Sequence, residues 1–195
     1  SSDLFAKLEL HIRPPRFKVP PILSVIKTNL RKSFSKLDES NILDIIEAYR
    51  SLPADQAADL LTEIKEMILR TLQEKSQNIN SFFLLNILEK TNKLRKSLRF
   101  DQNQLSLIYD EIAKRLPDDP FLSKLIIIEK IVYQYYVRGS KHRALLQKIY
   151  DTLFKLTNDL PYLPVFTLHQ LHLEGFHLQL IIDNYLRSEE HTSEL

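Results

Sequence analysis

The sequence predicts an all-α chain, a right-handed α-solenoid of antiparallel helix pairs, and three observations predict it. Residues 38 to 157 read as one motif written three times, an amphipathic helix, a short break and a second amphipathic helix, returning every 40 to 44 residues. Ile64, Ile108 and Ile149 occupy equivalent places in the second helices, in the runs LLTEIKEMIL, LSLIYDEIAKRL and LLQKIYDTLFKL. A period of that length built from helix pairs is the mark of a helical-repeat array. The chain also holds only two glycines in 195 residues, which disfavours tight β-turns and glycine-rich phosphate loops. Finally, aliphatic side chains recur at spacings of three and four, which gathers them on one helical face.

The elements follow in order. Residues 3 to 10 suit a short helix. Ile12 to Pro21 reads IRPPRFKVPP, four prolines among three basic residues, and proline bars helix continuation, so this stretch is expected to be an extended strap. Residues 1 to 21 are therefore set apart from a helical-repeat domain over 22 to 186. That domain opens with an amphipathic helix from Ile22 to Lys36. The first full pair is Asp38 to Leu52, with Ile42, Ile45, Ile46 and Tyr49 inward, and Ala54 to Lys75, with Leu60, Leu61, Ile64, Ile68 and Leu72 inward. Pro53 divides them.

The second pair is Ser81 to Arg99 and Gln102 to Leu116. Asp101 is expected to cap the latter helix, Gln104 to complete a capping box, and Phe100 to staple onto Leu105. The third pair opens on Asp119 as cap and Pro120 at the first helical position, runs from Phe121 to Val137, and stops at a left-handed Gly139. Ser140 is expected to cap its second helix, Lys141 to Leu156. A less regular fourth unit follows, from Leu163 to Glu174, a break at Gly175, and a restart to Leu186. The Phe121 to Val137 helix is apolar nearly all round, which places it in the middle of an assembly.

Composition bounds the function. The chain is 44% apolar, enough for a real core, and has no cysteine, which excludes disulfides, thiolate metal sites and cysteine catalysis. The most apolar run, LIIIEKIVYQYYV, carries Glu129 and Lys130 in its middle, so no membrane span is expected and the chain reads as soluble. The ending RSEEHTSEL, Arg187 to Leu195, resembles the in-frame translation of a common sequencing-library adapter and is set aside from the fold. Without it the charge becomes 26 basic against 22 acidic residues, a net of +4 where the full chain gives +2.

Basic residues gather at one place in the repeat. Lys93, Arg95, Lys96 and Arg99 crowd the end of the second unit's first helix, and Arg138, Lys141, His142 and Arg143 surround the corresponding turn of the third. In a stacked array equivalent turns lie side by side, so these clusters predict a basic edge able to neutralise phosphates. The first unit departs from the pattern, with Arg50 but also Asp55 and Asp59. Lysine and arginine near helix C-termini also serve the helix dipole. Tyr133, Tyr135 and Tyr136 adjoin the third unit's turn, and Tyr135 is expected to face out, where it could stack on an unpaired base, with Val132 and Tyr136 inward.

The segment LHQLHLEGFHLQL holds His169, His172 and His177 with Glu174, and the Glu-x-x-His spacing suits one half of a di-iron site. No second such motif lies in the chain, so surface histidines are the better reading. No serine sits with a nucleophile's base, and Glu47, Glu63, Glu66, Asp110 and Glu111 fall on outward faces. Neither catalytic residues nor a cofactor are expected.

The units SNILDIIEAYRSL–PADQAADLLTEIKEMIL and SFFLLNILEKTNKL–FDQNQLSLIYDEIAKRL resemble the heptatricopeptide and FAST kinase-like helical repeats of organellar RNA proteins, over about Asp38 to Leu156. The resemblance implies RNA association in mitochondria or another organelle, or membership of a mitochondrial ribosome, with a RAP domain often following. Three readings therefore stand. One is a noncatalytic, RNA-associated solenoid that uses its basic edge. Another is a protein scaffold or accessory subunit of a large organellar complex, and the third an all-α metal-dependent enzyme built around the histidine segment.

Overall fold

A computed structural model describes residues 39–50 and 52–193, all helix, turn or irregular, with no strand among them. The expected N-terminal helix, the proline strap and the helix from Ile22 lie outside the described residues. Eight α-helices are described: α1 Glu39–Tyr49, α2 Ala54–Glu74, α3 Ser81–Asn92, α4 Gln102–Arg115, α5 Leu125–Val137, α6 Arg143–Leu156, α7 Val165–Leu173 and α8 Gln179–Ser193. One-turn 3-10 helices occur at Ser76–Asn78, Lys96–Leu98 and Thr157–Asp159. The chain divides into two compact units, one ending at Leu107 and the other beginning at Ile108.

In the first unit α1 packs against both α2 and α3, and α2 against the turn at Lys96–Leu98. Every side chain assigned inward on α1 and α2 is buried: Ile42, Ile45, Ile46 and Tyr49, then Leu60, Leu61, Ile64, Ile68 and Leu72. Asn80 caps α3, its side chain accepting the Phe83 amide at 2.7 Å. The helix ends at Asn92 rather than Arg99. Beyond it Leu94 and Leu98 are buried through the one-turn helix. Their spacing of four mimics a helical face, which is why the sequence alone extends α3 through them.

The start of α4 follows its sequence signature. The Gln104 amide donates to Asp101 Oδ1 at 2.8 Å, and Gln104 Oε1 accepts the Asp101 amide at 3.0 Å, a reciprocal capping box. Phe100 and Leu105 are both buried, as the staple requires.

In the second unit α5 packs on α7, and α8 on α6 and on the Thr157–Asp159 turn. Ile108 and Ile149 are buried here, as Ile64 is in the first unit. The Leu116–Pro117 peptide bond is cis. Asp119 accepts the Phe121 and Leu122 amides at 2.8 and 3.1 Å, yet it caps only a turn, because the helix proper begins at Leu125.

Two glycines end helices as expected. At Gly139 (φ +59°) the Ser140 amide bonds the Tyr135 carbonyl at 3.2 Å and the Gly139 amide the Tyr136 carbonyl at 3.0 Å. At Gly175 (φ +87°) Phe176 bonds Leu171 and Gly175 bonds His172 in the same way, at 3.0 and 2.9 Å. Both are Schellman motifs, in which only glycine takes the left-handed position without strain. Helix α8 runs past Leu186 through Arg187 to Ser193, with Tyr185 donating to Glu189 at 2.8 Å, so the adapter-like residues as far as Ser193 continue that helix.

Candidate nucleic-acid interface

The eight residues proposed from sequence to contact nucleic acid differ in how far the structure leaves them available. In the first unit Lys93, Arg95 and Lys96 are exposed, and none forms an ion pair with a described residue. No acidic residue lies between Glu89 and Asp101, so nothing in the segment offsets their charge. Arg99 is half-buried and donates from Nε to the Leu94 carbonyl at 2.7 Å, closing the turn on itself. Lys65 on α2 pins the same turn from below: its Nζ donates to the Arg99 carbonyl at 3.1 Å and lies 5.9 Å from the Phe100 ring centroid. Burial lowers the Lys65 pKa, an effect opposed by the charges of Asp101 and Glu66. The turn is thus a fixed platform held by Arg99 and Lys65, with three free cations on its outside.

In the second unit the cations are more committed. Arg143 donates to the Glu174 carbonyl at 2.5 Å, and its guanidinium lies 4.2 Å over the Phe176 ring. Arg138 is half-buried at the C-cap of α5. Lys141 is exposed. His142 belongs to the scaffold: its Nδ1 accepts the Leu145 amide at 3.1 Å, its Nε2 lies 2.6 Å from Asp110 Oδ1, and its own amide donates to the Tyr135 hydroxyl at 2.7 Å. The cap of α6 is therefore His142, not Ser140, whose hydroxyl bonds Tyr109 at 2.9 Å.

Tyr135 does not face out. It is 7% exposed, with its ring 5.6 Å from Tyr109, and burial raises its pKa, as it does that of Tyr109. Tyr133 and Tyr136 are exposed instead, at 53% and 55%. An aliphatic and aromatic run this continuous carries no clear phase, so the sequence does not say which tyrosine turns inward. Phe166 on α7 joins the outer pair, its ring 6.4 Å from Tyr133 and 5.7 Å from Tyr136. With Ile126 and Val137 these rings make an exposed apolar stripe on α5, so the helix expected to be covered on several sides bares one face among the described residues.

His169, His172 and His177 line an open groove of about 720 Å³ with Leu163, Leu168, Phe176 and Ile182. Among the described residues no group of three histidines, aspartates or glutamates is placed to hold a metal ion. Some of the acids expected on outward faces are ion-paired. Glu47 pairs with Lys90 at 3.1 Å and Arg50 at 3.4 Å, and Glu111 with Arg115 at 2.9 Å. Sequence reasoning misses His142 as a cap because histidine is not a favoured residue there, and its partner Asp110 stands 32 residues away. No described helix is long and apolar enough to cross a membrane. Comparison with protein-family models, curated proteins and solved structures returns no match.

Proposed function

We propose that this chain is a noncatalytic helical-repeat module of the α-solenoid kind that associates with single-stranded RNA, in organellar RNA metabolism or at a mitochondrial ribosome. The observation that carries the reading is the turn from Lys93 to Arg99, with three exposed cations, no ion-pair partner for them among the described residues and no acid in the segment. Cations at a helix C-terminus serve the dipole, but that effect fades within the last turn. Arg95 and Lys96 lie beyond α3 altogether, in the following one-turn helix and its approach. Free, fixed cations neutralise phosphates without regard to sequence, which suits a module whose specificity comes from elsewhere in the assembly. Lys141 and the remaining donors of Arg143 are the second unit's contribution in this reading.

The test is titration of a labelled single-stranded RNA oligonucleotide with the full chain at 0.1 M salt. Replacing Lys96 by Glu removes one phosphate contact, and binding is expected to weaken about fivefold or more. Equal binding by the K96E variant overturns the reading.

A second reading, a protein scaffold or accessory subunit, is favoured by the bare stripe of Ile126, Tyr133, Tyr136, Val137 and Phe166. Its signature is association insensitive to salt and abolished by Y133S and F166S together.

A further inference from the structure

We infer that Ser97 is a phosphorylation site, addressed by a protein kinase with acidic pockets for basic side chains, and that its phosphate discharges the basic turn. The discharge rests on the RNA reading above; the modification site does not.

Five observations converge on this hydroxyl. Ser97 is exposed, whereas the other serines with described side chains are buried or half-buried. Its Oγ has no hydrogen-bond partner among the described residues, so it caps nothing and modifying it breaks no bond within the fold. It is flanked by Arg95 two residues before, Lys96 one before, Leu98 one after and Arg99 two after. Arg95 and Lys96 are unpaired with described acids and therefore available to an acidic recognition surface. The tetrad Leu94-Arg95-Lys96-Ser97 also recurs in the chain as Leu30-Arg31-Lys32-Ser33.

The local structure sets the terms of recognition. A kinase takes its substrate extended, and Ser97 sits in the one-turn helix Lys96–Leu98. Two backbone hydrogen bonds hold that turn, Leu98 to Arg95 at 2.8 Å and Arg99 to Lys96 at 3.4 Å. Opening it also unseats the buried Leu98 and releases the bonds from Arg99 to Leu94 and from Lys65 to Arg99, a local opening short of global unfolding.

The chemistry is phosphoryl transfer from a nucleoside triphosphate. Ser97 Oγ attacks the γ-phosphorus, the new O–P bond forms as the bond to the β,γ-bridging oxygen breaks, and the diphosphate leaves with that electron pair. The hydroxyl proton passes to the kinase's base. The product carries about −1.5 to −2 charge at neutral pH among Lys93, Arg95, Lys96 and Arg99, cancelling about half of their charge. Neutralising two of the cations that would otherwise meet the phosphates of a single strand weakens binding about twentyfold at 0.1 M salt.

The experiment treats the full chain with magnesium ATP and a purified kinase catalytic domain of the basic-directed class, protein kinase C. Phosphate is located by tandem mass spectrometry, and RNA affinity is measured before and after. The expected result is phosphate on Ser97, absent from the S97A variant, with binding weakened about twentyfold and its salt dependence flattened. Modification confined to Ser33 or to other hydroxyls, or modification of Ser97 only in a denatured chain, overturns the site whatever the RNA result. Phosphate on Ser97 with unchanged RNA binding overturns the discharge. Absence of RNA binding by the unmodified chain overturns the proposed function, and the mass-spectrometric result then stands or falls alone.

Discussion

The Nε2 of His142 lies 2.6 Å from Oδ1 of Asp110, while Nδ1 of the same ring accepts the Leu145 amide. An acceptor at Nδ1 leaves the hydrogen on Nε2, so the two contacts select one tautomer and tie α6 to the second half of α4 within one unit. With both nitrogens occupied, the imidazole is a clamp and not a base awaiting a substrate. Replacing His142 by Ala removes the cap and the link to Asp110, at a cost of about 1 to 3 kcal/mol. Replacing it by Asn keeps a capping oxygen and recovers part of that. Urea midpoints of the two variants, compared at constant slope, check the difference.

Buried tyrosines give the chain an alkaline limit. Burial raises the pKa of Tyr49, Tyr109 and Tyr135. For each, the unfolded phenol ionises near its ordinary value of about 10 while the folded one stays protonated, so above that pH the unfolded state binds fewer protons. Stability is complete below about pH 10 and falls as pH rises toward the folded values. The chain has no tryptophan, so tyrosinate absorbance at 295 nm reads the event directly. Tyrosinate from Tyr49, Tyr109 and Tyr135 should appear only as the fold is lost.

Glu47 sets a smaller limit on the acid side. The hydrogen bond from Lys90 holds its carboxyl below the ordinary range, with Arg50 adding to the effect. Its contribution is therefore present at neutral pH and lost as pH falls through the carboxylate range. The pair joins α1 to α3 but is half-exposed, so solvent screening holds it to about 0.2 to 1 kcal/mol. E47Q should remove that increment at pH 7 and cost progressively less as pH falls through the carboxylate range, as denaturation across that range shows.

At Gly139 and Gly175 an added Cβ meets nothing within 4 Å, so alanine costs only the left-handed backbone, about 1 to 2 kcal/mol at each. Asparagine, which tolerates that conformation, should cost less than alanine at both. Thermal midpoints of the four variants test this.

The parts of this fold legible in sequence are those written locally. Asp101 and Gln104 sit three residues apart and find each other within one turn, and Gly139 and Gly175 are the residues that take a positive φ among those described. The inward faces of α1 and α2 are equally plain, because polar residues interrupt them and give the period a phase. Helix α5 offers no such interruption. Tyr133, Tyr135 and Tyr136 are alike to the sequence, and which one is buried depends on Tyr109 and His142 packing against it from other elements. The same limit applies to the candidate site. Exposure of Lys93, Arg95 and Lys96 follows from their place at a helix end; the bond from Arg99 to Leu94 is local but belongs to a turn that the sequence reads as helix, and the engagement of Arg143 by Phe176 and Glu174 is tertiary.

The most direct measurement is the salt dependence of RNA binding by the full chain. Affinity for a single-stranded oligonucleotide is followed from about 0.05 to 0.3 M salt for the unaltered chain, for R95E/K96E, and for K148E, whose exposed lysine lies on α6 away from the turn in sequence. Phosphate contacts by Lys93, Arg95 and Lys96 contribute about −2 to the slope of log affinity against log salt, and any made by Lys141 and Arg143 steepen it further. The account predicts that the slope becomes shallower by about 1.4 in R95E/K96E and stays unchanged in K148E. No binding at the lowest salt, or equal weakening by both variants, would contradict it.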